Sequence, residues 1–431
     1  MLRLALVVVM AFVSISLAAL PSVAEMASNF EVVGRHDLNA RGMNAGMAIA
    51  GDCGYVGSRS GEQGSLILDL SDPAAPRVAG EIPHHVGSTM RELRAVAALD
   101  LLVVLNYRLN PFSLSPNSLD LYDVSDCAAP IARGSVNFGD ALPHEFFLWV
   151  DPARERQGRV LAYVAMWGFA PNLRVIDLTD PSAPAEVATW DALDDAGVPS
   201  RIHSLTVSED GSRAYLADWS NGLMVLDTSN LATDQVDAAP RLLTPPAAWL
   251  YLPGGNLHSA VKIPGEEVVV TTQEIYGPGT CPYGRLHVVD VSDPAAPVVA
   301  GAYGIAENDP AACGATAALD GAFTTHNPTV REGIAFATWY AGGLRAVDLR
   351  DPAVPAEAGV FVPDPLPAVA ADDFSLGSYA VRMWSSPIIR DGLIYVVDIR
   401  NGLYVLRYTG PNADAIERID FAEGNAWADG D

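Results

Sequence analysis

Four of the chain's eight histidines carry its strongest chemical signal: His144 in HEF, His203 in HSL, His258 in HSA and His326 in HNP. Each opens a short apolar run that reads as a strand, and all four fall at one position of an internal repeat. Imidazole is the commonest transition-metal ligand, and three or four converging ring nitrogens would suit Cu, Zn or Fe; copper or zinc is the cofactor such a set implies. Glu145, beside His144, adds a carboxylate that could ligate, move a proton or orient a ligand from behind. The equivalent runs elsewhere open with Arg91 (REL), Trp384 (WSS) and, in the first repeat, Asn44 or Ala45. The recurrence has a second explanation. Imidazoles can knit neighbouring sheets together or hydrate a channel, and residues facing each other across a wide ring stand too far apart to share one ion. Only two or three neighbours would then do so.

The residues expected around these positions suit a ligand site. Tyr107, Trp167, Trp219, Gln273, Glu274, Trp339, Tyr340 and Arg400 fall at the ends of the second strands, and Arg201 and Arg382 each stand two residues before an opening residue. Arg91, Glu145, Arg201, Trp219, Trp339, Arg382 and Trp384 are the candidate ligand-binding set, able to hold a sugar, a peptide or a small anion by stacking and hydrogen bonding. Trp219 and Trp339 could equally pack between sheets. No G-x-S-x-G, G-x-x-x-x-G-K-[ST], H-E-x-x-H or C-x-x-C motif is present, so catalysis is undecided. The turn aspartates occur singly before proline, without the D-x-[DN]-x-[DN]-G spacing of a calcium loop.

The elements that must position these residues are set by a repeat. GRLHVVDVSDPAAPVVAG from Gly284 recurs as GSLILDLSDPAAPRVAG from Gly64, SLDLYDVSDCAAPIARG from Ser118, NLRVIDLTDPSAPAEVA from Asn172 and GLRAVDLRDPAVPAEAG from Gly343. A degenerate copy, GLMVLDTSN, starts at Gly222, and a last, GLYVLRYTGP, at Gly402. Their aspartates, Asp69, Asp123, Asp177, Asp227, Asp290 and Asp348, are 54, 54, 50, 63 and 58 residues apart, and Arg407 takes the place of the last, 59 residues on. Each copy reads as strand, Asp-Pro turn, strand, preceded by another strand pair, so each period is four antiparallel strands. Four-stranded repeats of this length predict an all-β chain: a seven-bladed β-propeller. Phe30–Leu38 supplies the strand that the last copy lacks and closes the ring.

The runs LDL, VID, VVD and AVD followed by S/T-D-P-x-x-P resemble the LVIVD-repeat family of exported β-propellers. The resemblance covers nearly the whole chain after the leader. It departs at Asn230–Pro240, which replaces the fourth turn, and at the last copy, which lacks the aspartate. It implies a fold and an exported location, and no particular activity.

The strand order puts the short a–b and c–d turns on one face. The long insertions, Asn106–Asn117, Trp190–Ile202, Asn230–Leu257, Glu274–Tyr283, Gly304–Thr325 and Pro363–Met383, fall on the other, where binding residues are expected. The same topology pairs the cysteines as Cys53–Cys127 and Cys281–Cys313.

Arg3, the apolar run Leu4–Leu20 and Ser22-Val23-Ala24 read as a signal peptide over 1–24. The propeller is expected over 25–411 and an acidic, disordered or lightly packed tail over 412–431. A net charge of −26 repels phosphate backbones and anionic lipid, which argues against nucleic-acid partners. The sequence-based expectation is a secreted or periplasmic monomer without a membrane span. It would bind a small molecule, sugar or peptide at the axial mouth of the long-loop face, the alternative being a metal-dependent propeller enzyme.

Overall fold

A computed structural model describes residues 25–427 apart from 109–114, 116, 153–158, 169–170, 234, 236–237, 276–280, 313–322, 374 and 376–378. The leader read at 1–24 and Cys313 lie outside the described residues. The chain is all-β, built of four-stranded antiparallel sets in sequence order. The set carrying His144 is typical: Pro143–Val150, Val160–Met166, Leu173–Asp177 and Ala185–Trp190 pair one after another. Its first strand is almost wholly buried and its last alternates toward solvent, so the first strand is innermost and the last lies at the periphery.

Apolar packing between neighbouring sets holds the sheets in order. Phe147, Tyr163 and Val175 of the His144 set share one cluster with Leu205, Leu216 and Met224 of the next. Equivalent clusters join each set to its successor, and one formed by Met47, Val56, Leu68, Tyr395 and Val405 joins the last set to the first. Each fully buried Leu, Val or Phe contributes about 1.5–3 kcal/mol, so these shared faces far outweigh the exposed turn hydrogen bonds. An N-terminal strand, Phe30–His36, runs antiparallel to Gly402–Tyr408.

The repeat's last residue has a packing reason. A Cβ on Gly134 or Gly301, in peripheral strands, would sit 2.3 or 2.2 Å from the carbonyl oxygens of Pro181 and Pro352 in the next set's Asp-Pro turn. Gly34 lies as close, 2.1 Å, to the Pro73 carbonyl oxygen. The N-terminal strand thus occupies the place a peripheral strand holds in the other sets. The turns themselves are closed by their aspartates. Asp123 Oδ1 accepts from the Ser125 backbone N–H and Oγ at 2.9 and 2.6 Å, and Asp69 does the same with Ser71.

The C-terminal segment differs from expectation. Residues up to 427 are packed: Ile416, Ala422 and Ala426 are buried. Phe421–Glu423 pairs with the innermost strand Ile388–Arg390, and Ala426–Trp427 runs parallel to Leu148 and Trp149 of another innermost strand. Trp427 also donates from Nε1 to the Val207 carbonyl and meets the Phe147 ring edge-on. Its residues find a home because the ends of the innermost strands leave backbone to pair with, Ile388–Arg390 in one set and Leu148 and Trp149 in another. The segment crosses the axis there and closes it.

Cys53 and Cys127 form a disulfide, with Cα atoms 5.7 Å apart, at the turn end of the first and second sets. Cys281 is also disulfide-bonded. No helix among the described residues is long and apolar enough to cross a membrane.

Candidate functional site

At the opposite end of the axis from the C-terminal segment, the innermost strands begin, and there the four histidines meet. His144 Nε2 and His203 Nε2 are 2.8 Å apart and hydrogen-bonded. The His203 and His258 rings stand 4.0 Å apart between centroids, and His258 and His326 stand 3.7 Å apart. A ring of sheets wide enough to surround a channel would not bring these side chains so close by itself. The strands do it with local irregularities. The pairing of Ile202–Val207 skips from Ile202 to Ser204 while its partner advances one residue, and Leu257–Lys262 skips from Leu257 to Ser259. His203 and His258 are therefore the extra residues of β-bulges, and Arg91 is one as well, between Met90 and Glu92. A bulge bends the strand and re-aims one side chain, here toward the axis.

Two glutamates complete the cluster. Glu145 Oε1 lies 3.9 Å from His203 Nδ1 and 3.8 Å from His258 Nε2. Glu274 Oε1 lies 3.5 Å from His326 Nε2, and Tyr340 Oη donates to the same oxygen. The ligand-type atoms of Glu145, His203 and His258, and again those of His258, Glu274 and His326, lie within 4.8 Å of one another. Metal–nitrogen bonds of about 2.0–2.1 Å in a tetrahedron separate neighbouring ligand atoms by about 3.3–3.5 Å, close to the 3.5 Å between His326 and Glu274 and somewhat less than the 3.8 Å between His258 and Glu145.

Hydrogen bonds behind the rings fix which nitrogen faces inward. Ser259 Oγ donates to Asn327 Oδ1 at 3.2 Å, so it accepts from His258 Nδ1 at 2.6 Å. His326 Nδ1 donates to the Trp384 carbonyl at 2.8 Å. Both rings therefore turn a lone pair on Nε2 toward the glutamates, and His258 Nε2 has no hydrogen-bond partner. His144 Nδ1 and His203 Nδ1 are buried without one as well. Such orphaned ring nitrogens, one of the two Nδ1 atoms an N–H donor because the His144–His203 bond needs one Nε2–H and one bare Nε2, are uncommon in a packed interior and call for an explanation. A second group holding Nδ1–H while Nε2 points at a shared space is how metal-binding histidines are oriented.

Burial governs the protonation of the cluster. It pushes His144 down to about 3, with the charges of Arg91 and Arg59 adding to the effect. Burial likewise holds His203, His258 and His326 well below the ordinary imidazole value. It raises Glu145 well above the usual carboxylate range and Glu274 to about 7. Without an ion the group is kept close to neutral.

A cavity of about 110 Å³ adjoins the cluster, with Arg91, Trp219, Trp384, Arg59, Trp167 and Glu92 in its wall beside the histidines and both glutamates. Of the residues singled out from sequence, Arg91, Glu145, Trp219 and Trp384 thus gather with His144, His203 and His326, and His258 sits directly beneath. Trp219 stacks on His203 at 5.1 Å between centroids. Arg201, Trp339 and Arg382 stand elsewhere. Arg201 lies over the outer Trp167 ring at 5.9 Å. Trp339 is wholly buried between sheets and donates to Asn308 Oδ1, at 3.3 Å. Arg382 is paired in the interior with Asp372. Arg59 and Glu92 are cavity residues that sequence reasoning missed, and for Arg59 a signal existed. Arg59 follows the second strand of the first set, the same place that Tyr107, Trp167 and Trp219 hold in theirs, and that correspondence could have found it.

Comparison with known proteins agrees with this architecture. The LVIVD repeat model matches residues 161–192, 203–233 and 283–304, which include the repeats carrying His203 and the Asp177, Asp227 and Asp290 turns. Among solved structures the chain is similar to Sqt1 of Saccharomyces cerevisiae, with 10% identity over 90% of this chain and 100% of that one at a TM-score of 0.55. It is also similar to the β-propeller domain of Cps50 (Swd1) from Myceliophteria thermophila, with 11% identity over 85% and 97% of the two chains and a TM-score of 0.51. A chain of the mitotic checkpoint complex aligns with 10% identity over 94% and 98%, at 0.50. At these identities the likeness is one of fold. No curated protein sequence matches the chain.

Proposed function

We propose that this chain, an LVIVD-repeat protein of β-propeller fold, is an exported seven-bladed binding module whose axial pocket holds a transition metal, copper or zinc. The count of seven blades is supported by pairing the strand sets in order and counting Phe30–His36 into the last. The core cluster that joins the last set to the first supports that count. Export is supported by the leader pattern over 1–24 and by the Cys53–Cys127 disulfide, which forms and persists in oxidising compartments. A mature N-terminus at Glu25, read by peptide sequencing, would be the expected result.

The observation that carries the metal reading is the pair of inward lone pairs on His258 and His326, each locked by an Nδ1 partner, against Glu274 and Glu145. His258, His326 and Glu274 form the first ligand set, with His203 and Glu145 on its other side. Bound there, the ion would be buried and would present a fixed charge to the cavity. This chain's residues orient the ligands and bury them. The cavity beside the cluster favours a second reading, a metal-dependent enzyme in which one coordination position stays open to a substrate. The deciding measurement is elemental analysis of the purified protein and titration of chelator-treated protein with zinc and copper. Near-stoichiometric, tight binding is expected. Metal at background levels and no saturable titration would defeat the reading.

A further inference from the structure

The cavity has a second kind of wall. Arg59 and Arg91 both line it, and neither guanidinium is fully engaged. Arg59 donates from Nε to Asp373 Oδ2 at 2.6 Å and lies over the Trp384 ring at 5.2 Å. Its terminal nitrogens take no hydrogen-bond partner among the described residues. Arg91 lies over the Tyr107 ring at 5.3 Å and has neither a hydrogen bond nor an ion pair from its side chain among the described residues. Burial lowers Arg91 to about 10, and the charge of Arg59 adds to the lowering, so each group feels the other. Two like charges held in one small, partly dry space repel, and that repulsion is relieved by an anion placed between them. Three carboxyls share the wall, but Glu92 is paired with Arg94 at 3.0 Å and burial favours the neutral forms of Glu145 and Glu274, so the two guanidiniums are left as the charges that face the space.

We infer that Arg59 and Arg91 form an anion subsite contiguous with the histidine cluster, and that its ligand is a small carboxylate. The planar guanidinium presents paired N–H donors that match a carboxylate's two oxygens. Stacking on Trp384 and Tyr107 holds both forks in plane and leaves their edges for the ligand. Size restricts the class further. An apolar cavity of about 150 Å³ takes benzene; one of about 110 Å³ takes a molecule of acetate or oxalate size and excludes a sugar ring or a peptide. The inference rests on the axial pocket proposed above but not on the metal, since Arg59 holds its place through Asp373 and Trp384 and Arg91 through Tyr107.

The test is calorimetric titration of the full chain with sodium oxalate and sodium acetate, at fixed ionic strength in chloride. It is run on chelator-treated and on zinc-loaded protein, with phosphate as the comparison anion. Oxalate is expected to bind one-to-one, and phosphate more weakly. R91Q should weaken oxalate at least tenfold while its zinc content stays at the wild-type value. R91K, which keeps the charge and loses the fork, should fall between the two and serves as the readout if R91Q does not fold. Oxalate binding that is absent in both forms, equal in R91Q and wild type, or weaker than phosphate would overturn the inference. Oxalate binding that persists in protein unable to hold zinc would uphold it while defeating the metal centre. Stoichiometric zinc without oxalate binding would do the reverse.

Discussion

The two ends of the axis are built from the same repeat and use its recurring residues in opposite ways. At the turn end, Asp69, Asp123, Asp177, Asp227, Asp290 and Asp348 each serve the local chain, accepting from a backbone N–H two residues on. They lie at the surface, most of them partly exposed, and each is satisfied within its own copy. At the other end, His144, His203, His258 and His326 are drawn into one buried cluster where several ring nitrogens lack partners. Recurrence alone does not separate the two. What separates them is whether a side chain's hydrogen-bonding needs are met inside its own repeat. A residue that satisfies itself shapes the fold. One that is left wanting after folding is available to a ligand.

The turn end also contains the C-terminal segment, and removing it should give the largest effect of all. Ile416 is wholly buried and Trp427 bridges Val207, Phe147 and Arg331. Deleting residues 412–431 removes both anchors, each worth about 2–5 kcal/mol, so denaturant melts should show a loss above about 5 kcal/mol. Trp427→Ala alone should lose about 3 kcal/mol. In that variant the zinc content should not change, because the anchor lies at the far end of the strands from the histidines. Metal lost together with stability would break the comparison.

The next effect reverses the pattern. His258→Ala with His326→Ala should weaken zinc binding by more than about 100-fold, roughly 2.7 kcal/mol. The melting temperature of chelator-treated protein should fall only modestly, since removing the partnerless His258 Nε2 offsets part of the cost of the cavities and of the two lost Nδ1 hydrogen bonds. A large fall in stability without metal would mean that the histidines act as structural cross-links between sheets.

Much of this is readable without coordinates. The Asp-Pro turns announce the period because proline and a capping aspartate leave a fixed signature, and the histidines align once the period is known. The bulges at His203, His258 and Arg91 are not readable. An extra residue shows only when a strand is paired with its partner, and these bulges turn a wide ring of side chains into one cluster. From sequence only two or three neighbouring histidines are expected to come close enough to share an ion, and the 3.7 Å ring separation of His258 and His326 is one between neighbouring sets. Trp339 and Arg382 look like site residues because their positions are right, but their side chains turn into the packing between sheets. The tail misleads by its acidity. Its apolar residues, Ile416, Phe421, Ala422, Ala426 and Trp427, are too scattered to show a period, yet enough to seal the axis.

A smaller effect comes from pH, in the absence of metal. The unfolded chain protonates its imidazoles near their ordinary value of about 6.5, whereas the folded cluster resists it. The histidine contribution therefore falls as pH drops below about 6.5. Glu274 has the opposite sign. Folded, it keeps its proton up to about 7, while the unfolded chain loses it near 4.5. Its contribution is full below 4.5 and is lost as pH rises through about 7. Thermal melts between about pH 4.5 and 7 should therefore show a steeper acid loss in Glu274→Gln than in wild type, and a shallower one in His258→Gln with His326→Gln. Parallel curves for all three proteins would show that the cluster is not held neutral.

The smallest effect tests the turn end by itself. Asp227 accepts from the Ser229 backbone N–H and Oγ at 3.0 and 2.6 Å and pairs with Arg241, whose side chain is largely exposed. An amide in place of the carboxylate keeps an oxygen for Ser229 and loses only the screened ion pair, so Asp227→Asn should lower stability by less than about 1 kcal/mol. Asp348→Asn changes another set, where the aspartate has its own partner in Arg350. Two such sites share no contacts, so their effects should add within about 0.5 kcal/mol. His258 and His326 should not add. Once one ligand is gone the ion has little left to lose from the other, and the double variant should bind zinc scarcely more weakly than the worse single one. Additive turns and a non-additive ring are what self-contained caps and a shared site require.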